Sequence, residues 1–191
     1  EPVMDKAGSS FYSQIISSGP DSDWSAIMQC YFTAITQAKK NIYIITPYFI
    51  PTDFILNVVK VTALSGVEIN LMVPERSDTW LSHWGTMSYI SELLEAGVKI
   101  YLFKKGFNHS KVLSIDGEYC IIGSANMDTR SLEHHFEVTS ILYNRDCASI
   151  IENQFRCDLI RCELLTLEKW KKRRKFFRFY ESLARLLSPL L

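Results

Sequence analysis

The sequence predicts an α/β fold, a layered α-β-α sandwich around a mostly parallel or mixed central sheet, and three observations predict it. Short apolar runs alternate with stretches whose apolar residues recur at helical spacing. One run, Ile42-Tyr-Ile-Ile-Thr46, is apolar at successive positions, as a strand covered on both faces must be. Between two further apolar runs stands Asp116-Gly117, a hairpin signal that adds an antiparallel pair to the alternating order. With 191 residues, 47% of them hydrophobic, the chain can bury one core, which excludes a disordered class.

Each element has its own justification. Residues 11–17 read as an opening strand. Asp21 or Ser22 can cap a helix reaching about residue 39, with Trp24, Ile27, Met28, Tyr31, Ile35 and Ala38 on one stripe. After the strand at 42–46, Pro47 and Pro51 break the chain before a helix over about 52–64, which Ser65-Gly66 stops. A strand at 67–73, a loop, a helix ending at Glu95 before Gly97, and a strand at 98–103 follow. The hairpin comes next, then an alternating strand at 135–143 and a helix over about 146–164. This order implies helices on both faces of the sheet.

The densest chemistry lies between residues 109 and 126, in the pattern H-x-K-x4-D-x6-G-S-x-N formed by His109, Lys111, Asp116, Gly123, Ser124 and Asn126. In an extended segment His109 and Lys111, two apart, project from one face. Imidazole titrates near neutrality and can attack phosphorus or move a proton, while an ammonium neutralises phosphoryl oxygens. Gly123 permits close backbone approach to a ligand, and the Ser124 hydroxyl and Asn126 amide can donate to the same phosphate. Any one of these residues alone would be unremarkable. Six at fixed spacing on a strand-turn-strand frame form a phosphate site.

This segment resembles the HKD motif of the phospholipase D superfamily, and its surroundings are similar to the C-terminal half of bacterial cardiolipin synthases. Supporting stretches are Ser18-Gly-Pro-Asp-Ser22, Thr46-Pro-Tyr-Phe-Ile-Pro51, Val73-Pro-Glu-Arg-Ser-Asp78, Gly123-Ser-Ala-Asn-Met-Asp-Thr-Arg-Ser131, Phe136-Glu-Val138 and the ending at 183–191. The resemblance implies phosphatidyl transfer in two steps without metal or other cofactor, from two phosphatidylglycerols to cardiolipin and glycerol. A histidine of one motif forms a phosphohistidine; His109, in the second motif, acts as general acid and base. Lys111, Ser124 and Asn126 would stabilise the phosphorus transition state, and Glu137 would accept the His Nδ1 proton, against the alternative of a solvated carboxylate. Asp116 holds a charge pair behind the site or is only a turn residue. Arg130 holds a second phosphate or headgroup, or pairs with Asp128 or Glu133.

Other residues carry weaker signals. Tyr48 and Phe49, after a central strand, line a lipid or headgroup cleft or pack as an ordinary loop. His134 and His135 are adjacent, so on a strand they point to opposite faces and share no site. His83, between Trp80 and Trp84, reads as a core-edge residue. The five cysteines (Cys30, Cys120, Cys147, Cys157, Cys162) form no CxxC and read as reduced, buried thiols.

Charge divides the chain unevenly. Residues 169–191 hold eight Lys/Arg against one Asp/Glu, in a chain with 21 of each. Two regions follow: 1–168, a half-domain with one HKD motif, and 169–191, a basic amphipathic tail continuous with it. Trp170, Phe176 and Phe177 among the cations suit an anionic bilayer; nucleic acid or a helix packed on the core by Leu183, Leu186 and Leu187 are the alternatives. Residues 1–4 show no signal peptide, and no apolar run reaches membrane-span length. By resemblance a parent protein would carry N-terminal membrane helices and a first HKD half, and this chain would lie at the cytoplasmic membrane face. The chemistry needs two motifs and this chain has one, so the partner is the missing half or a second copy in a homodimer; no nucleic-acid partner is expected. A phospholipase D or nuclease, and a silent membrane-binding module, remain as alternatives.

Overall fold

Ile42 and Ile44 point to one side of their strand and Tyr43 and Ile45 to the other, and all four are buried. Each such residue contributes about 2 kcal/mol when removed from water, so this strand anchors two cores at once. The computed structural model describes residues 11–187; the features read at residues 1–4 and 188–191 lie outside them. The chain runs β1 (Tyr12–Ser18), α1 (Ala26–Gln37), β2 (Asn41–Ile45), β3 (Phe49–Ile50), α2 (Asp53–Leu64), β4 (Glu68–Pro74), α3 (Trp80–Glu95), β5 (Lys99–Phe103), β6 (Val112–Ile115), β7 (Tyr119–Gly123) and β8 (Met127–Asp128). A π-helical turn (Arg130–His134), β9 (Glu137–Tyr143), α4 (Arg145–Asp158), a 3-10 turn (Leu159–Arg161), β10 (Cys162–Leu164), α5 (Leu167–Lys171) and α6 (Lys175–Leu186) complete it.

The eight-stranded sheet has the order β1-β9-β7-β6-β2-β4-β5-β10. β2, β4 and β5 are parallel, and the strands flanking them are antiparallel. The predicted mixed α/β sheet with β2 at its centre is therefore the observed one. The larger core packs Ile42, Ile44, Leu113 and Ile121 under α1, α2 and α3; the smaller gathers Tyr43, Ile45, Met72 and Phe103 around Phe155 of α4. Helices cover both faces, but unequally.

Four local expectations need correction. α1 begins after Ser25, whose side chain makes no capping hydrogen bond, rather than at Asp21 or Ser22, and Trp24 lies outside its stripe, 70% exposed. The last predicted helix stops at Asp158: a 3-10 turn redirects the chain into β10, an edge strand antiparallel to β5. Its three residues are too few for strand periodicity to register. His134 ends the π-helical turn and His135 precedes β9, so neither is on a strand. Cys157 is exposed, and only Cys120 is fully buried.

Gly123 also acts differently from expectation. A Cβ there would fall 2.4 Å from Thr139 Oγ1 and 2.6 Å from the Val138 carbonyl. The glycine is required by the closeness of β7 to β9, not by a ligand.

Candidate active site

One end of the sheet collects the carboxyl ends of β2, β4, β5 and β7 and the amino ends of β6 and β9. The loops leaving that end carry Tyr48, Asp78, His109, Ser124 and Asn126, while Lys111 and Glu137 stand at the starts of β6 and β9. A short parallel pair, β3 with β8, ties the Tyr48 loop to the Asn126–Arg130 loop, and Thr46 reinforces it by accepting from the Met127 N–H at 3.3 Å. Open α/β sheets bind ligands at this place.

His109 is exposed, with its ring 5.5 Å from Phe107 and 6.5 Å from Tyr48 between centroids. It lies in the extended run before β6 rather than on the strand. The Lys111 ammonium donates to the His109 carbonyl at 2.8 Å. Burial lowers the Lys111 pKa, and the charges of Glu137 and Asp128 oppose that shift without cancelling it. A less solvated ammonium among carboxylates is well suited to exchanging them for phosphoryl oxygens.

Glu137 is not where the His109 orienter was expected. Among the described residues no hydrogen bond joins it to His109. The Ser124 hydroxyl donates to Glu137 Oε2 and accepts the Val138 N–H at 3.0 Å. Ser124 thus holds a carboxylate in place, and its hydroxyl is committed there rather than offered to a phosphate. The nearest imidazole to Glu137 is His135, with Nδ1 3.9 Å from Oε1, and Arg130 lies 3.0 Å from His135 Nε2. Because arginine can only donate, Nε2 accepts and Nδ1 carries the proton facing Glu137. Arg130 therefore pairs with neither Asp128 nor Glu133.

His135 is the site residue the sequence reading missed. The usable signal was its position two residues before Glu137, since such a pair on an extended segment shares a face. Asp128 is a second omission: buried, it accepts the Ser131 N–H at 2.7 Å and starts the π-helical turn that carries Arg130.

Tyr48, Asn126, Asp128, Arg130 and His135, with Thr79 and Ser82 of the α3 start, line a pocket of about 240 Å3. The Tyr48 hydroxyl donates to Asp78 at 2.7 Å, and burial together with this carboxylate pushes its pKa far up, so the phenol stays neutral. Asn126 donates to Ser131 Oγ at 3.1 Å, while its buried Oδ1 has no partner among the described residues.

Asp116 is set apart from all of these. At the far end of β6, its carboxylate accepts the N–H groups of Lys39, Lys40 and Asn41 at 2.8, 2.7 and 2.9 Å. It binds the hairpin turn to the α1–β2 connection and takes no part in the pocket, which corrects both its catalytic placement and the charge pair. With φ of 55° at Asp116 and 67° at Gly117, the predicted turn is made by two residues in the left-handed region.

Comparison with known proteins places this geometry. Residues 31–159 match the family model described as the cardiolipin synthase, PLD-like domain. A cardiolipin synthase of Geobacillus kaustophilus is 46% identical over 178 residues, covering 93% of this chain and 36% of that protein; the chain thus spans about a third of the length of the curated relatives it matches. The phospholipase D family member Nuc of Salmonella typhimurium superposes with a TM-score of 0.69 at 17% identity, over 81% of this chain and 98% of Nuc. A phosphatidylserine synthase of Haemophilus influenzae gives 0.71 at 13% identity, over 94% of this chain and 47% of that one. The same unit thus forms nearly all of one neighbour and about half of another. With its matched residues spanning the segment from His109 to Asn126 and all of the sheet but its two edge strands, the chain belongs to the cardiolipin synthase, PLD-like domain family.

Proposed function

We propose that this chain supplies one half of a two-histidine site that makes cardiolipin and glycerol from two phosphatidylglycerols. The observation that carries the reading is the convergence of an exposed imidazole, His109, with a half-buried ammonium, Lys111, at the same sheet end as Arg130 and Glu137. The imidazole of the other half attacks the phosphorus of the first lipid, forming a P–N bond as the P–O bond to glycerol breaks. His109 gives its proton to the departing glycerol oxygen. It then takes the proton of the second lipid's terminal hydroxyl, whose oxygen displaces the imidazole from phosphorus. Lys111 and Arg130 hold the phosphoryl oxygens as charge develops, a role whose loss typically costs about 10²–10³-fold in rate.

The second half has a surface to meet. On the sheet face that α4 only partly covers, Ile122 and Val138 are 40% and 50% exposed and Ile15, on the edge strand β1, 73%. This apolar strip ends at the sheet end that carries Ser124 and Glu137, although Glu137 points to the opposite face from Val138, and a second unit of the same fold seated on it would bring another imidazole to that end. Glu137, unattached to its own His109, would then be available to orient that ring. The lipid substrates put the reaction at a bilayer surface, and no helix of the described residues is long and apolar enough to cross one.

Product identity tests the reading. This chain, alone and together with a second phospholipase D-like half, is given phosphatidylglycerol vesicles, and the products are followed by mass spectrometry. Cardiolipin and glycerol in equal amounts are expected from the assembled site. Phosphatidic acid alone would show a hydrolase, and oligonucleotide cleavage without lipid turnover a nuclease; either outcome overturns the transfer reaction.

A further inference from the structure

α6 carries two apolar stripes where packing uses one. Phe177, Tyr180 and Ala184 face α3: Phe177 stacks on Trp84 at 5.5 Å between centroids, Tyr180 meets Trp80 and Trp84 at 5.5 and 5.4 Å, and Ala184 is fully buried. Phe176, Phe179, Leu183 and Leu186, spaced three, four and three residues apart, form the second stripe on the neighbouring helix face. They are 63%, 64%, 41% and 78% exposed. We infer that this stripe, with the cations bordering it, is a docking surface for an anionic phospholipid bilayer. The inference does not rest on the proposed chemistry, because binding is read without turnover.

Charge complementarity selects this occupant. Several cations of the region are neutralised internally, as in Lys171 with Glu95 and Arg173 with Glu181. Among the described residues, Arg174 and Arg178 are exposed and form no ion pair. Arg178 and Ser182 rim a pocket of about 440 Å3 between α3, α5 and α6, whose wall also holds the ion pairs Lys171–Glu95 and Arg173–Glu181, so that among the described residues Arg178 is the cation it leaves for a headgroup. Cations and hydroxyls beside an apolar stripe match the layering of a bilayer, with acyl chains at the stripe and headgroup phosphates at the rim. A protein partner would not require that layering, and the apolar strip proposed for the second half lies on the opposite face of the sheet.

Position adds a consequence. Trp80, 53% exposed, touches Tyr180 of α6 and starts the helix whose Thr79 and Ser82 line the candidate site. Docking through α6 would hold the pocket mouth beside the lipid surface.

The test is co-sedimentation of this chain with phosphatidylcholine vesicles, with and without about one third phosphatidylglycerol. Wild type should bind the anionic vesicles, bind neutral ones weakly, and lose affinity in high salt. The double variant Phe179→Ser/Leu186→Ser should bind at least about ten-fold more weakly, with thermal unfolding close to wild type, since both side chains are mostly exposed and, among the described residues, Phe179 meets only the ring of Tyr180. Arg174→Gln/Arg178→Gln should abolish the preference for anionic lipid. Ile150→Ser, an exposed apolar residue on α4, should bind as wild type does. Equal binding by the double serine variant, equal binding to neutral vesicles, or a change in self-association with vesicle binding intact would each overturn the inference. The last outcome would assign the stripe to a contact between chains.

Discussion

At the residue scale, Asp116 separates membership of a motif from a chemical role. Three backbone N–H groups converge on its carboxylate at under 3 Å, and removing a charged acceptor of this kind costs about 2–3 kcal/mol. Asp116→Ala should therefore lower the free energy of urea unfolding by about that amount while leaving turnover per folded molecule close to wild type. Asp116→Asn, which keeps one acceptor and tolerates the left-handed backbone, should recover part of the loss. A variant that is fully stable but inactive would return Asp116 to the chemistry. His109 and Lys111 were legible as candidates because an imidazole two residues from an ammonium has few structural explanations, and the structure puts both at the sheet end where the loops gather. Asp116 was not, since its partners come from residues 39–41, a contact that no local spacing encodes. Ser124 fits between these cases: its presence at the site was legible, but its commitment to Glu137 depends on the pairing of β7 with β9.

At the element scale, regular segments were legible where one period ran long enough, and misread where tertiary pairing decided. α2 shows the first case: Thr52 accepts the Ile55 N–H as its cap, where the sequence places the helix start. β10 shows the second, since three residues become a strand only because β5 presents an open edge. The helical layer is also joined by charge. Glu92 of α3 pairs with Lys60 of α2 and Arg185 of α6. Burial pushes the Glu92 carboxyl up, but the two cations outweigh it and leave it below its ordinary value of 4.5. A carboxyl depressed by folding contributes stability that is present above its unfolded pKa and lost as pH falls through the folded one. Glu92→Gln should therefore melt below wild type at neutral pH, and the difference should close as pH falls below about 4.5. A gap that stays constant with pH would mean that the contact acts through packing rather than charge.

At the scale of the whole molecule, the apolar surface is the guide to what surrounds this unit. Two exposed apolar strips lie on opposite sides of the sheet: Ile15, Ile122 and Val138 beside the site, and the outer face of α6 beyond α3. The first was not legible beforehand, because periodicity shows that a face is apolar and not whether the fold covers it; for the second the basic amphipathic character of 169–191 was legible, but not which of its apolar residues pack on α3. In the proposed function a second unit bearing its own imidazole covers the first strip and lipid the second. The central claim is that His109 moves the proton in phosphatidyl transfer, and the most direct measurement compares wild type with His109→Ala in the assembled protein, following cardiolipin from phosphatidylglycerol vesicles. The account predicts that the variant folds and assembles normally while cardiolipin formation falls by about 10³-fold or more. Cardiolipin formed at the wild-type rate by the variant would contradict it.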